Sequence, residues 1–109
     1  MDALGMLEVF GFTTAVVAAD AIAKAADVEI VALDRNKPAN ADKARVPLLM
    51  TVKFTGTAAA VEAGLEAGIK EAKSRELYVT SKIISRVAKD TEYMASLNAL
   101  CRDKLRNLK

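Results

Sequence analysis

Leu4-Gly5-Met6-Leu7-Glu8-Val9-Phe10-Gly11 is the stretch on which the fold turns. Its side chains alternate, with Gly5, Leu7 and Val9 on one side and Leu4, Met6, Glu8 and Phe10 on the other. Period-two alternation over eight residues predicts a β-strand. Just beyond it, Thr13 or Thr14 is suited to cap a helix, and Ala15, Ala19, Ile22 and Ala26 recur at helical spacing, so the pattern changes to a helix ending near Ala26. The small side chains on that stripe predict a helix lying close to whatever it covers.

Working outward, Val28–Leu33 and Leu48–Thr55 are short apolar, β-branched runs and read as strands two and three. Thr57 opens a second helix reaching about Arg75, with Val61, Leu65, Ile69 and Ala72 on one face, and Leu77–Ile84 reads as strand four. Asp90 is a candidate cap for a terminal helix striped by Met94, Leu97, Cys101, Leu105 and Leu108, with Arg102, Lys104, Arg106 and Lys109 near its negative end. A weak echo supports this order: Gly11 is followed by Ala15, Val16 and Ala18, and Gly56 at the same offsets by Ala60, Val61 and Ala63. Two interlocked βαβ halves predict an α+β, ferredoxin-like βαββαβ domain, a four-stranded antiparallel sheet with helices on one face plus a C-terminal helix. Glu8, Glu29, Thr51, Lys53 and Lys82 fall on the other face, which an antiparallel sheet can leave to water.

Composition narrows function. The 109 residues are 52% hydrophobic and 28% charged, a globular balance in a chain long enough for one domain and a core. Histidine is absent and Cys101 is the only cysteine. A histidine triad, a histidine-ligated metal, an intrachain disulfide and a thiolate cage are therefore excluded within one chain, and no metal or cofactor is expected. The start lacks a basic leader segment, and Asp20 and Lys24 interrupt the Ala-rich run that follows, so the expected location is a reducing cytoplasm rather than a membrane. The net charge of +2 and 5% aromatic content argue against nucleic acid, although Phe54 and Tyr78 imitate a stacking pair.

Catalytic constellations are weak. Ser85 with Lys89, or Ser81 with Lys82, is a chance-level serine–lysine pairing. Glu62 and Glu66 share a helix face with Lys70, an ion-pair row, and Gly64 and Gly68 inside a helical pattern fit close packing better than phosphate binding. Association is the stronger expectation, since Leu4, Met6 and Phe10 point away from the first two helices and would offer an exposed apolar strip. The irregular stretch Asp34–Pro47 holds both prolines, and Arg35, Lys37, Lys43 and Arg45 exceed Asp34 and Asp42 by a formal +2. Loops of that length are often functional.

Met1–Ala15 and Ala18–Glu29 resemble the opening of the hexamer-forming shell proteins of bacterial microcompartments, the BMC family, and Leu49–Gly56 with Ala59–Gly64 resembles that family's third strand and second helix. The resemblance implies one non-catalytic domain over residues 1–109 that forms cyclic homohexamers. These would tile with other shell proteins at a microcompartment shell in the bacterial cytoplasm and leave a central pore for small metabolites. It implies that Lys24 is an edge lysine pairing across neighbouring hexamers, and that Arg86, in Ile83-Ile84-Ser85-Arg86, is the edge arginine. Ser85, Val87 and Ala88 stand where the family usually has prolines and a histidine. The pore position falls to Arg35, Asn36, Lys37, Pro38, Ala39, Asn40, Ala41, Asp42, Lys43, Ala44 and Arg45, in place of a short glycine-rich turn. With no cysteine in that loop, no pore iron–sulfur cluster is expected. Six copies of a +2 loop would gather a formal charge of about +12 around the axis, favouring anions. The competing expectation is a ferredoxin-like regulatory domain binding a small metabolite, which the fold alone permits.

Overall fold

A computed structural model of the chain describes residues 2–40, 42–43 and 46–97. The elements run β1 (Ala3–Phe10), α1 (Phe12–Ala25), β2 (Glu29–Asn36), β3 (Leu49–Gly56), α2 (Ala58–Ser74), β4 (Tyr78–Ile84) and α3 (Lys89–Ser96). The four strands form one antiparallel sheet in the order β2-β3-β1-β4, the interlocked topology expected of a βαββαβ chain.

The alternation of β1 and β3 decides which side chains meet the helices. Leu7, Val9, Met50, Val52 and Phe54 are fully buried, and they form one core with Ala15, Ala18 and Ile22 of α1 and Val61, Leu65 and Ala72 of α2. Gly5 sits opposite Phe54 across the β1–β3 ladder. A Cβ at Gly5 would lie 2.4 Å from the Phe54 ring, so the glycine makes room for the largest buried side chain. Gly64 and Gly68 likewise let α2 approach Ile22 of α1, where added Cβ atoms would stand 3.0 and 2.8 Å from it.

The helix ends follow local chemistry. Thr57 caps α2, its hydroxyl accepting from the Ala60 amide at 3.1 Å. At the other end Glu76 takes a left-handed φ of 59°, and the Glu76 and Leu77 amides donate to the Lys73 and Ala72 carbonyls, closing the last turn. Neither Thr13 nor Thr14 caps α1. Gly11 does so with φ 91° and no side-chain bond, and Thr14 is buried inside the first turn. The internal echo shifts accordingly. Inward residues of the strands repeat after 45 positions, Leu7 with Val52 and Val9 with Phe54, whereas those of the helices repeat after 46, Ala15 with Val61, Ala18 with Gly64 and Ile22 with Gly68. The extra position is Thr57, a dedicated cap where the first half uses Gly11 itself.

Three further expectations are corrected. Strand two does not stop at Leu33: Asp34, Arg35 and Asn36 continue the ladder opposite Thr51, Met50 and Leu49, past an irregularity between Ile30 and Ala32. An edge strand tolerates polar residues because half its backbone faces water. The terminal helix is capped at Ala88, with no side-chain bond from Asp90, and ends at Leu97 in an extended conformation; Cys101, Leu105 and Leu108 lie outside the described residues. Leu4 is buried, 2% exposed, and Met6 and Phe10 are half-buried. The open apolar strip expected on β1 is partly covered, because α3 lies over that face beside Leu4, Met6 and Ile84.

Candidate functional site

The strand directions give the subunit two distinct ends. β1 and β2 begin, and β3 and β4 finish, at the same end, as the pairs Ala3 with Gly56 and Leu4 with Ile84 record. α1 descends from Gly11 to that end before β2 starts, bringing Lys24 there. The chain after β4 passes Arg86 and is tied down when the Val87 amide donates to the Asp2 carbonyl at 3.4 Å. The β2–β3 connection stands at the opposite end, where the Gly11 amide donates to the Leu48 carbonyl at 2.8 Å. Lys24 and Arg86 thus share one end of the sheet and the long loop occupies the other.

Lys24 lies in the last turn of α1, where a cation meets the negative end of the helix. Its ammonium is 2.7 Å from Asp20 one turn back and its side chain is 76% exposed. The hydrogen bond that Lys24 donates to Asp20, reinforced by that carboxylate's charge, holds the ammonium's pKa above the ordinary lysine value. Arg86 is exposed in the segment between β4 and α3. The expected pore residues divide in two. Arg35 and Asn36 belong to β2, not to the loop. Beyond them Pro38 is buried, Lys37, Ala39, Asn40, Asp42 and Lys43 are exposed, and Ala41, Ala44 and Arg45 lie outside the described residues. Local bonds shape what is described: the Asn36 side-chain oxygen accepts from the Lys37 amide, and the Asn40 carbonyl from the Lys43 amide, each at 2.9 Å.

Other imagined chemistry disperses. Phe54 is fully buried and offers no stacking surface. Tyr78 is occupied by the Ser81 hydroxyl at 3.0 Å and by the Lys73 ammonium 5.2 Å from its ring centre. Among the described residues no three cysteine, aspartate or glutamate side chains come together as metal ligands, and no helix is long and apolar enough to cross a membrane.

Lys53 was not singled out by its sequence. Alternation places it correctly on the face away from α1 and α2, but it is buried there, pairing with Asp34 and donating to the Leu97 carbonyl at 2.8 Å. The readable signal was small Ala32 directly across the ladder, with Asp34 two residues along the same face, a diagonal within reach of a long side chain.

The BMC domain family model matches residues 3–87, the whole sheet together with α1 and α2. The chain belongs to the BMC domain family. It is 34% identical over 85 residues to the bacterial microcompartment shell protein PduK of Citrobacter freundii, covering 78% of this chain and 49% of that protein. It is 34% identical over 94 residues to the shell protein EutK of Salmonella typhimurium, covering 86% and 52%. A crystal structure of a microcompartments protein from Desulfitobacterium hafniense superposes with a TM-score of 0.68 at 25% identity, over 88% of this chain and 47% of that one. This BMC domain chain thus spans about half the length of the curated relatives it matches, and α3 follows the matched region.

Proposed function

We propose that this chain is a structural shell subunit that closes into cyclic homohexamers, tiles with other shell proteins through Lys24 and Arg86, and borders a central metabolite pore with its β2–β3 connection. The observation carrying this reading is the polarity of the subunit: a ring subunit needs one end for neighbouring rings and the other for its axis, and the two cations stand at the opposite end from the loop. Phe12 and Val16, neighbours one turn apart on α1 and 50% and 43% exposed, supply apolar surface for association in place of the covered Leu4.

Pairing of Asp34 with Lys53 leaves Arg35, Lys37, Lys43 and Arg45 against Asp42 at the loop end. That cationic surplus, repeated around an axis, favours small anionic metabolites over cations. The role is structural, with no chemical step assigned.

Native mass spectrometry and electron-microscopic projection test the ring, and a six-fold particle is expected; a species that stays monomeric at high concentration overturns the proposal. Lys24→Glu and Arg86→Glu are expected to abolish extended sheets while leaving isolated rings intact, and unchanged sheets from both variants refute the edge roles. For the pore, neutralising Lys37, Lys43 and Arg45 to Gln should lower anion flux relative to cation flux through reconstituted layers. An unaltered ratio rejects the anion preference.

A further inference from the structure

We propose that α3 is a strap clamped onto the open face of the sheet by the buried ammonium of Lys53, and that it lifts off as a unit while the sheet, α1 and α2 stay folded. Lifting it uncovers an apolar strip formed by Leu4, Met6 and Ile84. This device does not depend on the ring or the pore.

α3 is poorly held by packing. None of its residues is buried, and Tyr93 and Met94 are 66% and 61% exposed. Cavities flank its line of contact, one of about 330 Å³ over Leu4, Val31 and Val87, the other of about 250 Å³ over Met6 and Ile84, and Ala95 borders both. An eight-residue helix does not persist alone in water, so α3 depends on what fastens it. The fastening is at its C-terminal end. Leu97 ends the helix, and its carbonyl is one of those left without a partner inside the helix. The Lys53 ammonium supplies the donor at 2.8 Å and places positive charge at the helix's negative pole. Its side chain is 9% exposed and is compensated by Asp34, so the bond forms away from competing water. The other root is firm: Val87 is buried and bonded to Asp2, which leaves α3 as the part free to move.

Amide hydrogen exchange on the full chain tests this. In the unmodified protein, the Glu92 and Leu97 amides, bonded to the Ala88 and Met94 carbonyls, should exchange through an opening about a hundredfold more populated than the one exposing the Val52 and Phe54 amides. Lys53→Met should raise exchange in α3 about ten- to a hundredfold, as expected for losing a hydrogen bond to a charged group. Protection in β1 and β3 should hold, and binding of an anilinonaphthalene dye should increase. Asp34→Asn, which keeps the lysine and a neutral acceptor, should give a smaller rise. Exchange of α3 only together with the strands, or a Lys53→Met effect below about twofold, overturns the proposal. Should Lys53→Met not fold, the unmodified protein and Asp34→Asn decide the matter: α3 opening ahead of the strands, and further ahead in Asp34→Asn, supports the strap, and its failure to do so rejects it.

Discussion

The two faces of the sheet are built on opposite terms. On the helix-covered face the side chains of β1 and β3 interlock with α1 and α2 so closely that glycine is needed at Gly5, Gly64 and Gly68. On the other face the polar groups Glu8, Thr51, Thr80 and Lys82 border an open groove, Thr51 reaches Glu8 only at 3.5 Å, and α3 rests above two cavities. The first face specifies the fold by volume, whereas on the second, among the described residues, the bond that reaches the end of α3 comes from one charged group, Lys53. Stability should therefore respond steeply to one methyl group on the first face and weakly to most changes on the second.

The sharpest test of that contrast is Phe54→Ala, expected to cost about 3–5 kcal/mol by urea denaturation because it empties the centre of the packed face. Gly5→Ala should approach this, at about 3 kcal/mol, since its methyl meets the ring rather than a flexible chain end. Combining Gly5→Ala with Phe54→Leu should cost clearly less than the two separately, as residues in contact do not add. Gly68→Ala should cost about 1 kcal/mol: crowding against Ile22 and Leu7 outweighs the helix-propensity gain of about 1 kcal/mol. Thr57→Ala, which removes the cap of α2, should also cost about 1 kcal/mol in the same measurement. Thr80→Ala on the open face should stay within about 0.5 kcal/mol, and a loss as large as that of Gly68→Ala would break the comparison.

The smallest effect concerns Lys24. Asp20→Asn should bring its titration, followed by NMR, down toward the ordinary lysine value, because the charge that helps raise it is gone and the hydrogen bond is left with a neutral acceptor. The sign follows from linkage: a raised folded-state pKa means that the pair's stabilisation is complete below the ordinary lysine value and fades as pH climbs through the raised one.

Much of this architecture can be read from the residues. The alternation of Leu4–Phe10 and the spacing of Val61, Leu65 and Ala72 announce their elements, because a two-residue or 3.6-residue period is a property of the local backbone. Gly64 and Gly68 inside a helix already signal close approach. Less legible was whatever depended on a distant partner. Arg35 and Asn36 look like loop until Met50 and Leu49 pair with them. Thr13 and Thr14 are good caps by type, yet the chain turns at Gly11. Of the proposed assembly residues, Lys24 and Arg86 came from family likeness, whereas their position at the end opposite the loop follows from strand direction.

What the linear order determined by itself is the kind and succession of elements and the absence of histidine- or cysteine-based chemistry within one chain. Residue type and local periodicity suffice for those. Only the tertiary structure decided that Leu4 is covered, that the second half of the repeat runs one residue late, and that Lys53 fastens α3 while Asp34 balances its charge. The covering of Leu4 and the fastening of α3 depend on groups 19 to 91 positions apart in the chain, and burial and hydrogen bonding act on distance in space, which the order of residues does not contain.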